Sequence, residues 1–126
     1  MPRILMVVAA AQVDPTVPEL LAEEGGLELV SCPDARGLLE QVMERAPDVV
    51  IYALRPDCRE DLGVLRLMRH AAPEVPLVIL AGEDSLETRR VTQGLRPIYY
   101  AVSPVDGAEL REVVRAAVRR KTRGGN

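Results

Sequence analysis

Five short apolar runs alternate along this chain with five segments of helical character, and that alternation leaves few folds open. The runs cover positions 3–8, 27–32, 48–54, 76–81 and 98–102, each rich in Val, Ile and Leu. Strand alternating with helix predicts βαβ units and a parallel sheet, with right-handed crossovers that place helices on both faces. Positions 4–8, 49–51 and 78–80 are continuously apolar, as in strands covered on both sides.

The helix starts carry their own punctuation. Thr16 with Glu19, Asp84 with Glu87, and Asp106 with Glu109 have capping-box spacing. In such a box the first side chain accepts from the third helical amide while the glutamate reaches back. Pro18 fits the first turn of its helix, and Asp34 after Pro33 can open the second. Leu38, Leu39, Val42 and Met43 form one core-facing stripe; Leu110, Val113, Val114, Ala117 and Val118 form another. Gly94 is placed to end the fourth helix in a left-handed conformation.

A chain of 126 residues makes one domain burying about 65–70 % of the surface its unfolded form exposes. Phe and Trp are absent and Tyr occurs three times, so the core must be built from aliphatic side chains and Met. A net charge of −3 and few aromatics argue against phosphate-backbone binding and base stacking. Nucleic acid is therefore not an expected partner. Cys32 and Cys58 form no CxxC pair, and the chain shows neither a signal-peptide pattern nor an apolar run of about 20 residues. These features predict a cytoplasmic protein with reduced thiols and no membrane association. The basic, Gly-rich stretch 121–126 reads as a flexible tail, a frayed helix end or the start of a linker, after a domain over 1–120.

In an open parallel sheet, ligands gather at the carboxyl ends of the strands. Those positions hold Val8, Ala9, Ala10, Ala11 and Gln12 after the first strand and Ala53, Leu54 and Arg55 after the third. Ala81 and Gly82 follow the fourth, and Ser103 and Pro104 the fifth. The set is almost devoid of functional groups. The stretch Pro47-Asp-Val-Val-Ile-Tyr-Ala53-Leu-Arg-Pro56 nevertheless resembles the third strand of a bacterial response-regulator receiver domain of the CheY-like superfamily. The resemblance extends from Arg3 to Arg120.

It implies a flavodoxin-like (βα)5 three-layer sandwich with a five-stranded parallel sheet in the order 2-1-3-4-5. Receivers carry an acidic pair that holds Mg²⁺, a phosphoacceptor aspartate, a Ser or Thr, and a Lys before a Pro. Here the acidic pair falls on Val8 and Ala9, or on Ala9 and Ala10, the acceptor on Ala53, the hydroxyl on Ala81 and the lysine on Ser103. None is kept. Pro104 matches the proline after that lysine, a structural position with a cis peptide bond in the family. Tyr100 matches an aromatic position whose rotamer changes on activation, although two extra residues separate it from Gly94.

Mg²⁺ needs oxygen ligands, and phosphoryl transfer depends on cations that neutralise developing charge. The resemblance therefore implies a degenerate, non-phosphorylatable pseudo-receiver with no cofactor, no metal and no enzymatic activity. Asp57, Glu60 and Asp61 read as a solvated loop and helix start rather than as substitute acceptors. Cys32, Cys58 and His70 lack metal-ligand spacing, and His70 suits a helix end. Ser31, Ser85 and Ser103 have no base beside them, and Ala9-Ala10-Ala11-Gln12 lacks the glycines of a phosphate loop.

In receivers, the face made by the fourth helix, the fifth strand and the fifth helix often contacts partners or a second receiver. On this chain it should present Leu86, Arg89, Arg90, Tyr100, Val102, Glu112 and Val113, with Arg111, Arg115 and Arg119 nearby. The basic side chains also suit an ordinary solvated surface, and Val113 suits the core. Tyr99 and Tyr100 should point to opposite sides of their strand, one in packing and the other near the surface. The expected function is a phosphorylation-independent protein-interaction module in bacterial signal transduction, as a homodimer or with another protein. It would stand alone or form part of a longer regulator. A second expectation is a small-ligand-binding domain that uses the vacated pocket, with Arg55 and Ser103 as polar groups.

Overall fold

In the computed structural model, which describes residues 4–9, 27–54, 59–82, 85–102 and 105–124, the five apolar runs become five parallel strands. These are β1 (Ile4–Ala9), β2 (Leu27–Ser31), β3 (Val49–Leu54), β4 (Leu77–Ala81) and β5 (Tyr99–Val102). Four helices lie among the described residues: α1 (Ala35–Arg45), α2 (Arg59–Ala71), α3 (Leu86–Gln93) and α4 (Gly107–Gly124). The helix expected between the first two strands, with its Thr16–Glu19 box, falls outside the described residues. The sheet order is β2-β1-β3-β4-β5, so the chain reverses direction across the sheet beside β1. Such a reversal opens a crevice at the carboxyl ends of β1 and β3.

Alternation along the strands divides the core in two. Val50, Tyr52 and Leu54 of β3, with Leu77, Ile79 and Ala81 of β4, pack with Leu38 and Val42 of α1 and with Leu62, Leu65 and Met68 of α2. Val49, Ile51 and Ala53, with Val78, Leu80 and Ala101, pack with Leu110, Val114 and Ala117 of α4. Every residue of β3 and β4 is buried, as their unbroken apolar runs require. Each fully buried Leu or Ile stabilises by about 1.5–3 kcal/mol relative to an exposed one.

The α4 stripe matches expectation, with Val113 and Val118 partly buried at its margins. On α1 the stripe is narrower than predicted. Met43 is 64 % exposed, because the buried positions Ala35, Leu38 and Val42 centre the contact on another side of the helix. Backbone of the expected tail, 121–126, is helical through Gly124. None of the helices among the described residues is long and apolar enough to cross a membrane.

The caps differ in detail from their sequence signals. Asp34 caps α1 as predicted, accepting from the Gly37 amide at 2.8 Å, and Asp106 accepts from Glu109 at 3.1 Å. Asp84 lies outside the described residues, and Ser85 is the N-cap of α3, accepting from the Thr88 amide at 3.3 Å. Ser85 also accepts well at an N-cap, so the start moves by one residue. Gly94 is right-handed at φ −64°, contrary to expectation. The left-handed positions are Ala46 (φ 46°), which ends α1, and Arg96 (φ 52°), beyond α3. Leu95 is buried and its amide bonds to Thr92, so the last turn continues past Gly94 before the chain reverses.

Candidate functional site

The carboxyl ends of β3 and β4 bring the key positions close together without giving them chemistry. Ala53 pairs in register with Leu80, and Leu54 with Ala81. Ala53 is 2 % exposed and faces the α4 layer, whereas Ala81 is 3 % exposed and faces the α1 and α2 layer. Val8 and Ala9 end β1, where Val8 pairs with Ile51 and Ala9 with Tyr52. Side chains of β1, and all of Ala10, Arg55, Asp57, Cys58, Ser103 and Pro104, lie outside the described residues.

A methyl group neither attacks phosphorus nor ligates a cation. The side chains of Ala53, Leu54 and Ala81 have no oxygen, so the magnesium site of a receiver does not fit them. Among the described residues, no group of three or more His, Cys, Asp or Glu could hold a metal ion.

Asp61 corrects the sequence reading. It is 4 % exposed rather than solvated, and it accepts a hydrogen bond from the hydroxyl of fully buried Tyr52. The pair joins α2 to β3 on the face of the sheet opposite the Ala53 side chain. A buried phenol needs an acceptor, and Tyr52 is a polar interruption in an otherwise aliphatic strand. That signal could have directed attention to an acid at the start of the next helix.

Cys32, a free thiol at the end of β2, is buried, and desolvation raises its pKa, aided by the charges of Asp34 and Glu40. It behaves as a packing residue. His70 lies in the last turn of α2 beside Arg69, whose positive charge complements the helix dipole.

The expected interaction residues divide into separate environments. Leu86 on α3 is 74 % exposed, and Arg90 is also exposed. The guanidinium carbon of Arg89 stands 5.3 Å from the Tyr100 ring centroid, a cation–π contact linking α3 to β5. Tyr99 and Tyr100 do point to opposite faces, but both are half-buried, each packed against its own core cluster. The expected contrast between them is absent because each face of β5 is covered by a helix.

Tyr99 hydrogen-bonds Glu109. Burial first, then that bond and the charges of Glu109 and Asp106, push its pKa up to about 12. Val113, four residues after Glu109, lies on the same flank of α4. Arg115, six residues after it, is turned about 120° away. Arg115 instead pairs with Glu112 at 3.0 Å on the exposed surface. Val113 packs against the core, so it contributes only an edge to any surface.

No protein-family model matches the chain. It is 22 % identical over 98 residues to the luminescence regulatory protein LuxO of Vibrio campbellii and, at the same level, to the regulatory protein LuxO of Vibrio parahaemolyticus. The match covers 78 % of this chain and 22 % of each relative, so the chain spans about a fifth of the curated relatives it matches.

Solved structures agree on the fold. A CheY-like receiver domain protein from Methanospirillum hungatei superposes with a TM-score of 0.81 at 17 % identity, covering 98 % of this chain and 99 % of that one. The receiver domain of NtrX from Brucella abortus gives 0.76 at 24 % identity, covering 91 % and 98 %. A receiver domain protein from Clostridium thermocellum gives 0.77 at 21 %, covering 95 % and 97 %. The fold is that of a response-regulator receiver.

Proposed function

We propose that this chain is a receiver-type signalling module that works through protein contact rather than phosphoryl transfer. The observation that carries this reading is the burial of the Ala53 methyl within an apolar cluster at the position that matches a receiver's acceptor. Ala81 supports it, since the position that matches the family's hydroxyl also holds a buried methyl. By sequence, Val8 and Ala9 or Ala10 supply no carboxylate and Ser103 no ammonium group. Without nucleophile, metal ligands or lysine, no step of phosphoryl transfer has a group to perform it. In this reading the module is a cytoplasmic, non-enzymatic component of a bacterial signalling pathway. Any signal reaches it as binding or association, because a population shifts only through differential affinity.

The surface formed by α3, β5 and the first turns of α4 is its contact face, with a second copy as the favoured occupant. Arg89 and Arg90 stand on the α3 side of edge strand β5, and Asp106, Glu109 and Glu112 on the α4 side. A two-fold arrangement across β5 sets the basic side of one copy against the acidic side of the other.

Intact mass after incubation with acetyl phosphate and Mg²⁺ tests the first part: no phosphoryl adduct is expected, and a stable one would sink the reading. Sedimentation velocity tests the second. The wild type should associate and an Arg90→Glu variant should not; a monomeric wild type at all concentrations rejects the homodimer.

A further inference from the structure

The strands β4 and β5 begin at the end of the sheet opposite Ala53 and Ala81, and there Arg69 reaches the backbone next to Arg96. Arg69, in the last turn of α2, donates from Nε to the Leu95 carbonyl at 2.7 Å. Its Nη1 donates to Val75 at 2.9 Å, Pro73 at 3.0 Å and Ala72 at 3.4 Å, all backbone carbonyls. These acceptors belong to the end of α2, the turn into β4 and the loop leaving α3. The guanidinium is therefore held in place by the fold. None of these bonds uses Nη2, which carries two of the five guanidinium donors.

Arg96 follows directly on Leu95, so the Nε bond of Arg69 falls on the peptide unit that Arg96 completes. Arg96 is exposed and sits at φ 52°, a backbone conformation that costs a non-glycine residue about 1–2 kcal/mol. Glycine would remove that cost. The long cationic side chain has no carboxylate partner among the described residues that would offset it. Strained non-glycine positions of this kind concentrate where a side chain serves a function. Burial, and after it the charge of Arg96, lower the pKa of Arg69, as expected for two cations held near each other.

We propose that Arg69 Nη2 and the Arg96 guanidinium form a binding site for a phosphate-class dianion at this end of the sheet. Two adjacent cations favour a ligand carrying two negative charges over a monoanion, and forked guanidinium donors match phosphate oxygens. Inorganic phosphate and a phosphorylated side chain share that chemistry.

Amide chemical shifts of the whole chain, titrated at constant ionic strength with inorganic phosphate, O-phosphoserine or acetate, test the site. Saturable shifts at Leu95 and Arg96 are expected with at least one of the phosphates, with acetate about tenfold weaker. Arg96→Gly suits φ 52° and should stay folded, yet phosphate affinity should fall about tenfold, the equivalent of one charge-assisted hydrogen bond. Tighter binding of O-phosphoserine than of inorganic phosphate assigns a phosphorylated side chain as the source, and the reverse order assigns the free anion. Absence of saturable shifts with either phosphate, or equal affinity in Arg96→Gly, overturns the proposal.

Discussion

At Ala53 the side chain is small and neutral because the surrounding cluster offers nothing to a larger or charged one. Ile51, Val78, Leu80, Ala101 and Leu110 share its cluster, all apolar. An Ala53→Asp variant should therefore lose about 2–4 kcal/mol at pH 7, measured by urea denaturation. Its carboxyl would be held neutral in the folded state, with a pKa above the unfolded value of about 4. The unfolded state then ionises first as pH rises, so the deficit should be smallest near pH 4 and grow towards neutrality. The same variant should take up no phosphoryl group from acetyl phosphate.

Tyr99 gives a second pH dependence, with its folded pKa raised to about 12 against an ordinary value of 10.0. The stability it contributes is complete below about pH 10 and is lost as pH rises from there through 12. Stability curves of wild type and Tyr99→Phe should accordingly converge over that interval. Curves that stay parallel would show that neither burial nor Glu109 raises the Tyr99 pKa in the folded state.

The helices show how local chemistry and packing share control of an element. α1 starts where Asp34 accepts a backbone amide and ends where Ala46 turns left-handed. Asp34→Ala should cost about 1 kcal/mol. Ala46→Gly should stabilise by about 0.4–1 kcal/mol, since glycine adopts φ 46° without a Cβ penalty. A melting temperature that falls in Ala46→Gly would contradict the assigned backbone conformation.

Capping signals were legible because they depend on residues three apart in sequence. Exposure of Met43 was not, because a stripe of four apolar residues on a helix does not reveal which one the neighbouring layer fails to reach. Gly94 was misread for a related reason. The buried contact of Leu95 extends the last turn of α3, and the reversal moves to Arg96.

At the scale of the whole molecule, the two core layers on either side of one sheet bring together residues distant in sequence. Tyr52 and Asp61 meet across β3 and α2, and Arg69 ties α2 to the loops before β4 and β5. Tyr52→Phe should destabilise the domain by about 1–3 kcal/mol, because the buried Asp61 carboxylate loses a donor. Replacing both residues, as Tyr52→Phe with Asp61→Leu, should recover part of that loss; a double variant no better than the single one would mean that Asp61 has other essential partners.

The run of aliphatic strands and amphipathic segments was enough by itself to determine a parallel α/β sandwich, since period and burial are properties of adjacent residues. The resemblance to receivers, rather than that patterning, implies that Ala53 and Ala81 stand at the family's acceptor and hydroxyl positions. Only the tertiary structure decided that Ala53 and Ala81 face opposite layers, that Asp61 is buried against Tyr52, and that Arg69 reaches the backbone beside Arg96. Those relations depend on how elements cross and how far each layer reaches, and no spacing along the chain encodes them.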